Sequence, residues 1–140
     1  MVDEKDLRIL EVLKGNSELT TGKISKRVNM PATTVHNRIR KMEKDGTIRK
    51  FTVDVNYKSL GKPLAAYVMI RSSFDSTYKL LERLRKNPAV EEANVVSGAF
   101  DIITKVRVKD TEELERFVFK YLRNLGYVKK THTIWIVNGH

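Results

Sequence analysis

Leu7, Ile9, Leu10, Val12 and Leu13 recur at the three- and four-residue spacing of an amphipathic helix. Asp3 stands where its N-cap belongs, Asp6 falls in the first turn, where the helix dipole favours a negative charge, and Gly15 is a natural stop. A second, shorter helix is expected from Thr20 or Thr21 to near Asn29, with Ile24 and Val28 inward. With Thr20 as its cap, Leu19 and Ile24 take the positions of a hydrophobic staple. A third runs over about 32–45, with Val35, Ile39 and Met42 at i, i+4 and i+7 and Gly46 closing it. Only Asn29, Met30 and Pro31 separate the second from the third. Two short helices on so tight a turn, preceded by a packing helix, make a helix-turn-helix arrangement.

From Thr47 the period changes to two. Phe51, Val53 and Val55 alternate with Lys50, Thr52 and Asp54, which predicts a strand, and the turn-rich stretch 56–63 reads as a linker. The boundary is placed after Gly61, giving a domain over 1–61 and a second over 62–140. The second predicts a strand at 64–71, a helix at 76–86 stopped by Asn87-Pro88, a strand at 90–96, a turn at 97–100 and a strand at 101–108. A helix capped by Thr111 and ended by Gly126 follows, with Leu114, Phe117, Val118, Tyr121, Leu122 and Leu125 inward, and then a strand at 128–137. The order β-α-β-β-α-β is the ferredoxin-like arrangement, so the fold class is α+β. Two helices on one face leave the other bare. That face is expected to carry Tyr, Trp, Ile and Val side chains, with a partner subunit as its cover.

Charge sharpens the picture of the first domain. The chain has 27 Lys and Arg against 17 Asp and Glu, a net of +10, which favours a polyanionic partner. Residues 19–50 hold nine basic and two acidic side chains, a net of +7, whereas residues 1–18 sum to −2. At 100° per residue, Thr33, Asn37, Arg40 and Lys44 cluster opposite the apolar side of the third helix, flanked by Thr34, His36 and Lys41. Thr33, Thr34, Asn37 and Arg40 suit base edges, since Asn pairs bidentately with adenine and Arg with guanine. His36 suits a base or a phosphate. Lys23, Lys26, Arg27, Lys41 and Lys44 suit phosphates, which position without specifying. The plainer alternative is a solvated basic helix. Arg38, on the edge of the apolar face, fits either a stem packed on the core with its head on Glu43 or backbone, or a DNA contact.

Composition excludes more than it proves. Without cysteine there are no disulfides, thiolate metal sites or cysteine nucleophiles. No apolar run approaches the roughly 18–20 residues of a bilayer span, and the N-terminus lacks a signal-peptide pattern, so a soluble cytoplasmic protein is expected. At 140 residues and 41% hydrophobic, two small units are each marginal alone, which favours oligomers. No Ser/His/Asp set, phosphate-cradling Gly loop or metal-ligand cluster is present, so neither a cofactor nor catalysis is expected.

Taken in order, several of these positions resemble the Lrp/AsnC, or feast/famine, family of transcriptional regulators. Asp3, Asp6, Ile9, Leu10 and Leu13 match its opening pattern. Met30-Pro31, Thr34-Val35, Arg38-Ile39, Met42-Glu43, Gly46 and Ile48 match its recognition-helix signature, and Leu60-Gly61 its linker. Val96-Ser97-Gly98-Ala99-Phe100-Asp101 resembles its Gly-x-Tyr-Asp loop with Phe for Tyr, and Leu125-Gly126-Tyr127-Val128 with Thr131-His132-Thr133 its last helix-to-strand turn. One departure is Pro31, where the family usually caps the third helix with Ser; a cap worth about 1 kcal/mol is thereby lost, or the helix starts at the proline with another cap.

The resemblance implies a winged-type helix-turn-helix domain of three helices, a ferredoxin-like βαββαβ (RAM) domain, double-stranded DNA as partner, a homodimer with the octamer as a higher assembly, and an amino acid or related metabolite as effector. It places the effector near Ser97, Gly98, Ala99, Phe100 and Asp101, where Asp101 suits an ammonium and the hydroxyls of Ser97, Thr131 and Thr133 suit polar groups. A plain hairpin turn explains Gly98 and Asp101 equally well. Siroheme decarboxylases resemble the same two-domain plan and give the enzyme alternative. Of the three histidines, His36 lies in the recognition helix and His140 is terminal, leaving only His132 for that chemistry. A sensor whose helix-turn-helix serves only assembly is countered by the intact outward arc.

Overall fold

The computed structural model describes residues 1–139, so His140 lies outside the described residues. The chain divides into two compact units, residues 1–54 and 55–140.

In the first unit, α1 (Glu4–Gly15) opens with a reciprocal cap. The Asp3 carboxylate accepts from the Asp6 amide at 2.9 Å, and the Asp6 carboxylate accepts from the Asp3 amide at 3.1 Å. Helix α2 (Thr21–Val28) is capped by Thr20, which accepts from the Lys23 amide at 3.2 Å. Asn29 takes the left-handed conformation, φ 54°, which Asn tolerates better than most side chains, and turns the chain toward α3 (Ala32–Lys44). Pro31 sits at the N-cap of α3 and makes no side-chain cap bond. Ile9, Leu13, Ile24, Val28, Met30, Val35 and Met42 form the core, with Leu19 and Ile39 among the side chains packed at its edge.

Two expectations fail here. Leu7 is 55% exposed, and Asp6 takes its place on the buried side of α1. A carboxylate is tolerated there because α3 supplies its counter-charge, described below. The strand expected over 51–55 does not form, since a ladder needs a neighbour and no strand of this unit lies beside it among the described residues. Phe51, Thr52 and Val53 instead border a cleft of about 570 Å³ with Leu10, Leu13 and the 15–18 turn.

The division falls between Asp54 and Val55, and the turn-rich stretch expected over 56–63 lies beyond it. The 56–62 turn closes on itself, with the amides of Leu60 and Lys62 donating to the Tyr57 carbonyl at 3.1 and 2.9 Å. The Arg107 guanidinium lies 4.5 Å from the centre of the Tyr57 ring, a cation–π contact that ties the turn to the second unit.

The second unit has the expected element order: β1 (Leu64–Ser72), α4 (Thr77–Lys86), β2 (Val90–Val95), β3 (Ile102–Val108), α5 (Thr111–Glu115, continued by a π-helix over Arg116–Leu122) and β4 (Val128–Trp135). The sheet runs β2-β3-β1-β4, every pair antiparallel. Ala66, Val68 and Ile70 of β1 and Ile102, Val106 and Val108 of β3 meet Leu80, Leu81 and Leu84 of α4 and Leu114, Phe117, Val118 and Leu122 of α5. Burying each of the larger side chains stabilises by roughly 1.5–3 kcal/mol.

Three details differ from the sequence reading. Asp110, not Thr111, caps α5, accepting from the Glu113 amide at 2.9 Å. The chain widens into a π-helix, seating Phe117, Val118 and Leu122 together against the sheet while Phe119 stays exposed. The bare face carries Tyr67, Met69, Ile103 and Ile134 but not Trp135, which pairs with the core-facing Ala66 and so points to the helix side.

Candidate nucleic-acid interface and effector loop

Val35 and Met42 turn one side of α3 into the core, which leaves the opposite side to solvent. Thr33, His36, Asn37, Arg40, Lys41 and Lys44 are exposed there, and Thr34 is half-buried. Lys23, Lys26 and Arg27 of α2 are exposed as well. Arg40 has Glu43 at 4.0 Å, an open i,i+3 pair worth little against solvent, so it does not hold the guanidinium in place. Asp45, at the C-terminal end of α3, has its carboxyl lowered below the ordinary range by hydrogen bonds from the Thr47 side chain and amide.

Arg38 behaves differently from its neighbours. Its guanidinium donates to both carboxylate oxygens of Asp3, at 2.8 and 2.7 Å, and to Asp6 at 2.9 Å. It meets neither Glu43 nor a backbone carbonyl as a packed stem was expected to do. The hydrogen bond from Arg38 and that from the Asp6 amide hold the Asp3 carboxyl down at about 2, and the same pairing raises Arg38 above its ordinary value. The spacing Asp3, Asp6 was legible as a helix start; that its carboxylates also receive an arginine from α3 was not.

In the second unit the 97–101 loop is fastened to the end of β1. The Asp101 carboxylate accepts from the Ser72 amide at 2.8 Å, and the Asp101 amide donates to the Ile70 carbonyl at 2.9 Å. The Arg71 guanidinium donates twice to the Ala99 carbonyl, at 2.6 and 3.1 Å. The Phe100 ring lies 6.2 Å from that of His132. Gly98, at φ 131°, occupies a backbone region that side chains rarely adopt. Ser97, Gly98 and Ala99 are exposed. Thr131 and Thr133 do not join this cluster: they pair with Ile70 and Val68 and share the helix-covered face, whereas His132 pairs with Met69 on the other. Sequence reasoning missed Arg71 and Ser72, whose roles depend on strand neighbours. Among the described residues, no group of three or more His, Asp and Glu side chains is placed to hold a metal ion, and no helix is long and apolar enough to cross a membrane.

Residues 2–49 match the model of winged helix-turn-helix DNA-binding domains, and residues 65–139 match that of the Lrp/AsnC ligand-binding domain. The chain belongs to the Lrp/AsnC family of transcriptional regulators. An HTH-type transcriptional regulator of Pyrococcus furiosus is 39% identical over 96% of this chain and 91% of its own length. The structure of Escherichia coli AsnC has a TM-score of 0.88 at 25% identity, covering 99% of this chain and 94% of that one. A Neisseria meningitidis transcriptional regulator in complex with L-Met has a TM-score of 0.92 at 22% identity, covering 99% and 91%, which is a likeness of fold. This Lrp/AsnC protein is thus a transcriptional regulator with a DNA-binding helix-turn-helix unit and a ligand-binding unit. Nothing in these matches supports the decarboxylase reading.

Proposed function

We propose that this Lrp/AsnC chain reads double-stranded DNA by sequence with α3, works as a homodimer at least, and responds to an amino acid or related metabolite without catalysing a reaction. The observation that carries this is the outward side of α3, where Thr33, Asn37, Arg40 and Lys44 stand exposed together opposite the inward Val35, Ile39 and Met42. Thr33, Thr34, Asn37 and Arg40 face base edges, His36 a base or phosphate, and Lys23, Lys26, Arg27, Lys41 and Lys44 phosphates. The bare sheet face with Tyr67, Met69, Ile103 and Ile134 favours a second copy as its cover, and the octamer is the higher assembly in this reading. Two copies present two recognition helices, so the site is pseudo-palindromic with half-sites about one helical turn or a multiple apart. Its place of work is the cytoplasm.

Ser97, Gly98, Ala99, Phe100 and Asp101 are the proposed effector residues, with Thr131 and Thr133 of β4 beside them in sequence pattern but on the other face. The L-Met held by the Neisseria meningitidis regulator favours an amino acid as the ligand class. Incubating the full-length protein with randomised duplex DNA at physiological salt, recovering the bound fraction and sequencing it tests the reading. A short pseudo-palindromic consensus is the expected result; no enrichment overturns sequence-specific regulation.

A further inference from the structure

The ion cluster that joins α1 to α3 lies outside every role assigned so far. The apolar contacts of α3 hold it against α1 and α2, but apolar burial is non-directional and defines the rotation of the helix about its own axis less sharply than a hydrogen bond does. That rotation matters for reading DNA. With side chains about 6 Å from the axis, a rotation of about 20° moves their tips by about 2 Å, most of a hydrogen-bond length. A directional restraint near the middle of α3 is therefore worth more to recognition than another methyl group in the core.

Arg38 supplies such a restraint. It is flanked on the helix surface by Thr34 at i−4 and Lys41 at i+3, and it follows Asn37. Its Nη1 makes all three contacts, at 2.7, 2.8 and 2.9 Å, and because they lie on two separate carboxylates they restrain direction as well as distance. The acceptors cannot drift, because Asp3 and Asp6 are themselves locked in the reciprocal cap of α1, and the Asp6 side chain is only 4% exposed. The Asp3 carboxyl, held near 2, stays ionised throughout the range in which DNA binding is measured.

We infer that Arg38 is a positioning residue for DNA reading: clamped by Asp3 and Asp6, it sets the rotation of α3 and does not itself contact DNA. The inference rests on the DNA-reading proposal above, and the test separates the two. The full-length protein and its Arg38→Lys and Asp3→Asn variants are compared for affinity to the selected duplex and to bulk DNA, with folding verified by circular dichroism at the same temperature. Arg38→Lys keeps the charge but replaces the fixed N–H directions of Nη1 with a freely rotating ammonium on a shorter stem. Asp3→Asn keeps a good N-cap while weakening the clamp, so α1 remains capped.

Each variant is expected to lose about tenfold or more in preference for the selected duplex, a loss on the scale of one base contact. Affinity for bulk DNA stays level in Arg38→Lys and level or tighter in Asp3→Asn, which removes a negative charge. Opposite movements of the two affinities in Asp3→Asn are a signature that a purely stabilising pair would not produce. Unchanged preference in both folded variants overturns the inference while leaving the DNA-reading proposal intact. Equal loss on both DNAs with a shallower salt dependence would make Arg38 a phosphate contact and also overturns it. If the unaltered protein shows no preference for any duplex, the reading of α3 falls and the positioning role with it.

Discussion

The two units solve the problem of stability with different means. The second covers one face of a four-stranded sheet with two helices, and its strands deliver an apolar layer from Ala66 to Val108, broken by Thr104, beneath Leu80, Leu84 and Leu122. The first has three short helices and seven buried apolar side chains, and on its buried surface it carries Asp6. There, side-chain caps at Asp3 and Thr20 and the Arg38 cluster add what a small core lacks. The contrast teaches where orientation comes from. Apolar burial dominates the ligand-binding unit, whereas in the first unit directional bonds also tie α3, the proposed reading helix, to the start of α1.

The largest effect that would break this comparison is a cavity in the sheet-and-helix core. Leu84→Ala should cost about 2–5 kcal/mol, seen as a lower melting temperature of the ligand-binding unit, while the transition of the first unit stays in place. A single shared shift would show that the units do not divide stability as described.

On the DNA side, Arg40→Ala should lose about 1–3 kcal/mol of discrimination between the selected and altered sequences. Lys26→Ala should weaken all duplexes alike and flatten the logarithmic salt slope by about 0.9. Equal losses on every sequence in both variants would erase the distinction between reading and positioning contacts.

A smaller effect tests the claim that the second unit depends on apolar burial. The Thr104 hydroxyl of β3 is fully buried and has no hydrogen-bond partner among the described residues. Thr104→Val should therefore raise the stability of that unit by about 1 kcal/mol, measured by chemical denaturation; a loss would reveal a partner for the hydroxyl.

The smallest and most local change comes with acid. Because the folded Asp3 carboxyl titrates near 2 instead of its ordinary 3.8, its contribution is complete above the unfolded value and declines as pH falls from there through 2. The first unit should lose stability across that window, and Asp3→Asn should remove part of the dependence. An identical acid profile in the variant would place the sensitivity elsewhere.

Much of this was legible along the chain because it is local. Helix starts at Asp3 and Thr20, the missing side-chain cap at Pro31, the inward Val35 and Met42 and the outward Asn37 and Arg40 all follow from spacings within a few turns. The β-α-β-β-α-β order followed from periods and breakers in the same way. Phe51, Val53 and Val55 misled for a related reason: alternation describes a half-buried strand but cannot supply the neighbour that a ladder needs.

The sequence by itself therefore determined most of the elements, the inward and outward sides of α2 and α3, and the charge those two helices present. Only the tertiary structure decided who meets whom. Arg38 finds Asp3 across 35 residues, Asp101 holds the Ser72 amide across 29, and Tyr57 joins the second unit through Arg107. A period states which side of an element is buried, but a hydrogen bond or ion pair also needs its partner's position. That position is set by strand order and helix packing, which no single segment encodes.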